Sequence, residues 1–148
     1  MEPFPHHYTV TASANFEGDV SLDAQRLPRL VSAPPTEFNG PGDRWSPETL
    51  LVAAVADCFV LTFRAIAAAS KLSWTSLTCE AVGTLDKVDR VTQFTGFAVR
   101  GRLSVASESN KEQALRLLTR AEQTCLITNS LKAKCQLEAF VDVATGSQ

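Results

Sequence analysis

The 148-residue sequence predicts an α+β fold, and three patterns carry that reading. Apolar and polar residues alternate near both ends of the chain. One long apolar segment interrupts the alternation, and a shorter amphipathic segment follows a pair of strand-like runs. The resulting order is strands, long helix, strands, helix, strand. It lacks the regular alternation of a doubly wound sheet. The length suits a single domain over residues 1–148 with one core.

Tyr8-Thr-Val-Thr-Ala-Ser-Ala14 has the period of a half-buried strand. Gly18-Asp19 marks a turn, and Val20, Leu22 and Ala24 repeat the alternation. A short third strand is expected around Leu30 to Ala33, ended by Pro34-Pro35 and a loop through Asn39-Gly-Pro-Gly-Asp43. Ser46-Pro47-Glu48 reads as a helix start. Serine caps free amides, proline fits the first helical position, and a carboxylate suits the positive end of the dipole. That helix should reach about Ser70. It is apolar on nearly every side and should be enclosed by protein, which one small domain does with difficulty, so a dimer with a shared core is expected. Ser76 to Thr84 and Gln93 to Ala106 read as an antiparallel hairpin joined by a polar connection, Leu85 to Arg90. Asn110 or Ser109 should cap a second helix, with Glu112 and Gln113 placed for a capping box. Ala114, Leu118 and Ala121 share one stripe of it, and Cys125 continues the stripe. A helical turn at Ile127 to Leu131 and a last strand, Cys135 to Val143, complete the chain.

The net charge of −2 gives no electrostatic case for nucleic acid or an anionic membrane. No Lys or Arg precedes Arg26, and the opening residues have no apolar run, so a secretory signal is not expected and the cytosol is the default setting. Thiols stay reduced there, so Cys58, Cys79, Cys125 and Cys135 are not read as structural staples. None lies in a C-x-x-C pair, and the two histidines, His6 and His7, sit far from them, which argues against zinc and leaves both histidines without a role. Leu50 to Ala69 is apolar enough to raise a membrane span. It holds Asp57 and Arg64, costly in lipid, so a core helix of a soluble protein is the better reading.

Taken alone, Cys58 and Cys125 read as small core hydrophobes, Cys125 the more so for its place on an apolar stripe, and nothing in their spacing shows that they meet. Two segments add to this. Ser46-Pro-Glu-Thr-Leu-Leu-Val-Ala-Ala-Val-Ala-Asp-Cys-Phe59 resembles the helix signature of the OsmC/Ohr family: a Pro-Glu opening, an alanine-rich stretch, then Cys-Phe. Ala121-Glu-Gln-Thr-Cys-Leu-Ile-Thr-Asn-Ser-Leu131 resembles the family's second, cysteine-bearing segment. The order of elements agrees along nearly the whole chain.

The resemblance implies an OsmC-like fold, with antiparallel sheets packed on a long central helix in an intertwined homodimer. It also implies a thiol peroxidase. Cys58 matches the peroxidatic cysteine, which becomes a sulfenic acid. Cys125 matches the resolving cysteine, which closes a disulfide onto it. The implied substrates are organic hydroperoxides, the implied reductant is a lipoyl or other small dithiol, and no cofactor or metal is called for. The family lowers the pKa of its cysteine with an arginine held by a glutamate. Glu48 matches the glutamate. At the place of the arginine, in a loop upstream and followed by Phe, this chain has Glu37-Phe38, and a carboxylate there would raise the cysteine's pKa. Arg44 is the nearest substitute. Arg64 is also available, although pairing with Asp57 on its own helix is expected of it. The departure keeps open a second reading, a non-catalytic protein of this fold that binds a small ligand or partner, and a third, a structural or interaction dimer with both cysteines as plain core.

Helix geometry adds one inference. Glu48 and Cys58 are ten residues apart on one expected helix, about 15 Å along its axis. If Glu48 supports a Cys58, it therefore most simply does so from a second subunit; the alternative is a favourable charge at a helix N-terminus. Cys79 and Cys135 fall on expected strands and read as packing residues. Trp45, Phe59 and Phe63 are candidates to line an apolar pocket, with plain core as the alternative. Asp57, beside Cys58, carries the wrong charge for an activator.

Overall fold

The computed structural model describes residues 1–144, and the chain divides into two compact units, Met1–Leu51 and Val52–Gln148. The first holds a three-stranded antiparallel sheet in the order β1 (Thr11–Ser13), β2 (Val20–Asp23), β3 (Leu30–Ser32). Gly18 turns the first hairpin with a φ of 96°, a backbone region that glycine enters without steric cost. The expected strand at Tyr8 to Ala14 is shorter than its alternation suggests, since only Thr11 to Ser13 find partners on β2. After β3 the chain makes a 3-10 turn at Thr36–Phe38, and Trp45 returns to accept a hydrogen bond from the Ala33 N–H at 2.9 Å.

Helix α1 (Pro47–Ala69) opens as the sequence predicts. Ser46 Oγ accepts the Thr49 N–H at 3.1 Å, and Thr49 Oγ1 accepts the Ser46 N–H at 2.9 Å. This reciprocal pair satisfies two amides that would otherwise be orphaned at the helix start.

The second unit is built on a sheet ordered β4 (Trp74–Val88), β5 (Val91–Val105), β6 (Lys134–Val143). β4 and β5 form one long antiparallel hairpin, and the polar connection expected at Leu85 to Arg90 is itself largely strand. Only Asp89 and Arg90 turn, at φ of 50° and 69°. Two residues with positive φ match the twist of the flanking strands, so the ladder runs on to the Val88–Val91 pair. β6 pairs with β5 in parallel, which makes the sheet mixed and requires a crossover. Helices α2 (Lys111–Thr124) and α3 (Leu126–Asn129) supply it.

The capping expected of Asn110 or Ser109 does not occur. Asn110 already has helical φ and ψ, and its amide donates to the Ser73 carbonyl. Ser107 caps instead, accepting the Ser109 N–H of the 3-10 turn that leads into α2. α2 buries Ala114, Leu117, Leu118 and Ala121, the stripe that its spacing predicts.

On α1, Val55, Phe59, Phe63 and Ala67 recur every four residues and are buried. They meet the inner face of the mixed sheet, where Phe97, Val99, Leu103 and Val105 are also buried. A Cβ on Gly101 would lie 3.2 Å from the Phe59 ring, so glycine lets that ring sit close to β5. Phe63 packs edge-on to Trp74 with ring centroids 5.5 Å apart. Burying each of these phenylalanines contributes about 1.5–3 kcal/mol.

This one chain does not enclose α1 as expected. Only one stripe is buried, and Leu61 remains 47% exposed. Its 23 residues are long and apolar enough to cross a membrane, but that stripe is packed on the sheet.

Candidate functional site

Cys58 and Cys125 come together. Cys58 projects from the middle of α1 and is partly exposed. Cys125 sits between α2 and α3, 1% exposed. Its extended backbone, at φ −64° and ψ 114°, ends α2 and starts α3. The sequence stripe continues α2 through Cys125; the chain instead breaks there, and the break aims backbone amides at Cys58. The first N–H groups of a helix have no partner within it. Here those of Ile127 and Leu126 lie near enough to the Cys58 sulfur to lower its pKa.

Burial and four neighbouring groups act on that sulfur. Burial is the largest single influence on the Cys58 thiol and raises its pKa. The Ile127 N–H, the Cys125 S–H, the Thr62 hydroxyl and the Leu126 N–H together outweigh it, and Cys58 is held below the ordinary thiol value. Thr62 Oγ1 lies 3.7 Å from the sulfur. Cys125 is shifted the opposite way. Burial pushes it up, hydrogen bonds from Thr128 oppose that, and its role as donor to Cys58 favours its protonated form. The two thiols are thus shifted in opposite directions, Cys58 down and Cys125 up. Both are free.

The sulfur opens onto a cavity of about 490 Å³ whose wall includes Ala54, Asp57, Leu61, Thr62, Leu126 and Ile127. The lining is mostly aliphatic, and Asp57 is its one ionisable group besides Cys58. Phe59 and Phe63, expected as candidate pocket residues, lie on the buried stripe of α1 and are core. Helix periodicity puts them on the face away from Leu61. Trp45 is half exposed and tied to Ala33 through its backbone.

Glu48 and Arg44 are not joined to each other. Arg44 is paired with Asp19 at 3.2 Å and with Asp43 at 3.4 Å. Glu48 lines a separate apolar cavity of about 540 Å³ in the first unit, beside Phe38 and Leu22. Its Oε1 is buried and has no hydrogen-bond partner among the described residues. Glu37 is exposed on the 3-10 turn. The Arg64–Asp57 ion pair is absent among the described residues, because a spacing of seven holds two exposed side chains about two turns, roughly 10 Å, apart. No cation contributes to the shift of Cys58.

Cys79 and Cys135 lie on β4 and β6, opposite Gly101 and Phe97 of β5, on the same inner face as Phe97. Burial is the main cause that pushes each up to about 11, reinforced by neighbouring thiols and, for Cys135, by Glu122. Among the described residues, no cluster of ligands suited to a metal is present. Sequence reasoning missed Thr62, Leu126 and Ile127. Thr62 stands four residues after Cys58, the spacing of helix neighbours, and that signal was available. The other two depend on the break at Cys125.

A cysteine in mid-helix meeting a second one at a helix break, beside an open cavity, matches a known family. The OsmC-like protein family model matches residues 40–139, and the chain belongs to that family. Over 152 aligned residues it is 28% identical to the uncharacterized protein YmaD of Bacillus subtilis (strain 168), covering 97% of this chain and 98% of that one. Its fold is that of an OsmC-like protein of unknown function from Vibrio cholerae, with a TM-score of 0.83 at 19% identity over 92% of this chain and 100% of that chain. An organic hydroperoxide resistance protein from Legionella pneumophila superposes with a TM-score of 0.73 at 23% identity, over 95% of this chain and all of that one. One from Elizabethkingia anophelis gives the same TM-score at 17% identity, with the same coverage.

Proposed function

We propose that this protein is a cytosolic thiol peroxidase that reduces organic hydroperoxides through Cys58 and Cys125. One observation carries the reading: Cys58, at the wall of an open, largely aliphatic cavity, is held below its ordinary pKa by neighbours that include a second thiol, Cys125. The names of the relatives from Legionella and Elizabethkingia point the same way.

In the first step the Cys58 thiolate attacks one peroxide oxygen. The S–O bond forms as the O–O bond breaks, sulfur loses two electrons to the peroxide, and the departing alkoxide takes a proton to leave as an alcohol. In the second, the Cys125 sulfur attacks the Cys58 sulfenic acid. The S–S bond forms, and the sulfenic hydroxyl leaves with the Cys125 proton as water. A small dithiol of the lipoyl type then reduces the disulfide by two exchanges and becomes a disulfide itself. No cofactor enters. The aliphatic lining suits the organic part of the peroxide.

The active form is a homodimer. The apolar residues of α1 left exposed and the buried, unpartnered oxygen of Glu48 both call for a second copy. Glu48 of one copy supports the site of the other through a donor that reaches it, with Arg44 the nearest candidate once released from Asp19.

The test is a thiol count on reduced protein before and after one equivalent of cumene hydroperoxide. Two thiols should be lost within seconds, and the loss should be absent in Cys58→Ser. No loss in the unaltered protein would favour the second reading, a ligand-binding member of the family without peroxidase activity. Glu37 in place of the family's arginine, and the lack of any cation among the groups that shift Cys58, favour that reading.

A further inference from the structure

The hydroxyl of Thr62 does something the other helical threonines do not. Thr119 and Thr124 of α2 each donate to the carbonyl four residues back, at 3.1 and 2.8 Å. That back-bond is the usual fate of a hydroxyl inside a helix. Thr62 sits inside α1, four residues after Cys58, yet its hydroxyl has one partner among the described residues, the Cys58 sulfur at 3.7 Å. It also forms part of the cavity wall onto which that sulfur opens. A valine of the same shape would fill the position with less helix cost than a hydroxyl left idle.

We propose that Thr62 is a positioning residue of the thiol site: its hydroxyl donates to the Cys58 sulfur, favouring the thiolate and holding it aimed into the cavity. The inference rests on the reading of Cys58 as a nucleophile. It assigns to a neutral side chain on the same helix part of the task that a cation would otherwise perform. A hydrogen bond to a charged acceptor is stronger than one between neutral groups, so the bond strengthens when Cys58 ionises. The geometry suits this. Residues four apart lie one above the other on a helix, and the Thr62 hydroxyl approaches the sulfur from along the helix. The Ile127 and Leu126 amides and Cys125 come from another element. The sulfur is thereby held from two sides, with the cavity as its open approach.

The experiment follows thiolate absorbance at 240 nm against pH in the unaltered protein, Thr62→Val, Thr62→Ala and Thr62→Ser, each compared with the same protein lacking Cys58. Loss of the hydroxyl should raise the Cys58 midpoint by about one pH unit, the scale of one hydrogen bond to a charged group. Thr62→Ser should restore most of the shift, which a purely structural role would not require. The rate of the first thiol loss to cumene hydroperoxide should move along the pH axis with the midpoint, about tenfold slower well below it and unchanged well above it. An unchanged midpoint in both Thr62→Val and Thr62→Ala overturns the inference, as does failure of serine to restore it. The absorbance readout needs no peroxide. A midpoint that moves with Thr62 in a protein that consumes no peroxide therefore defeats the peroxidase reading and leaves Thr62 in its role. Turnover with an unmoved midpoint does the reverse.

Discussion

Two pairs of cysteines face the inside of the second unit, and their environments push them in opposite directions. Cys58, on α1, and Cys125, at the break between α2 and α3, come together, and neighbouring groups lower Cys58. Cys79 and Cys135 are strand residues on the inner face of the mixed sheet, opposite Gly101 and Phe97 of β5. Burial raises all four. Only Cys58 has enough free N–H, S–H and O–H groups around it to reverse the effect, and Cys79 and Cys135 stay at about 11. The difference lies in the neighbours: Thr62, Cys125 and the start of α3 lower Cys58, whereas the neighbours of Cys79 and Cys135 only raise them.

The comparison breaks most sharply at Cys58. Cys58→Ser should abolish peroxide consumption and leave the remaining thiol count unchanged by peroxide, whereas Cys79→Ser and Cys135→Ser should consume peroxide at the unaltered rate. Coupled consumption assays on the three variants decide this. Next in size is Cys125→Ser. It should allow one turnover and then stop, with Cys58 gaining two oxygens as a sulfinic acid, read by mass spectrometry of the Cys58 peptide. A variant that instead cycles normally would mean that Cys125 is only a packing and donor group.

Alkylation at neutral pH measures the same contrast without peroxide. Cys58 should react with iodoacetamide at least about tenfold faster than Cys79 or Cys135, after allowing for the weaker nucleophilicity of a low-pKa thiolate. Peptide-resolved labelling rates check this. Equal rates would erase the distinction between the two pairs.

The smallest effect is on stability. A thiol whose pKa is raised by folding contributes fully below the ordinary thiol value near 9, and that contribution is lost as the pH rises through about 11. For Cys79 the loss is about 1–2 kcal/mol once solvent screening is allowed for. Thermal unfolding of Cys79→Ala should accordingly fall less steeply between those values than that of the unaltered protein. Cys58 has the opposite sign: its contribution is present above the ordinary thiol value and is lost as the pH falls through its depressed folded value.

Much of the framework was legible in the residues. The alternation of Val20, Leu22 and Ala24, the Ser46-Pro47-Glu48 opening and the stripe of Ala114, Leu118 and Ala121 each depend on local periodicity or capping, and the structure has the corresponding elements. Local rules overreached where tertiary partners decide. The stretch from Leu85 to Val88 is polar enough to read as a loop, but a two-residue turn at Asp89-Arg90 keeps it on the ladder. The seven-residue spacing of Asp57 and Arg64 puts both on similar bearings of α1 without bringing their charges together. Phe59 and Phe63 read as pocket or core, and the face of α1 that meets Gly101 and Trp74 made them core.

The sequence by itself determined the α+β order of elements, the start of α1 and the membership of Cys58 and Cys125 in two recognisable segments, because helix caps, alternation and motif spacing are written within a few residues of one another. Only the tertiary structure decided that the two thiols come together and that Leu126 and Ile127 lie beside one of them. Those contacts join parts of the chain more than sixty residues apart. Their strength depends on which donors the intervening fold leaves unpaired, a quantity that no local pattern records.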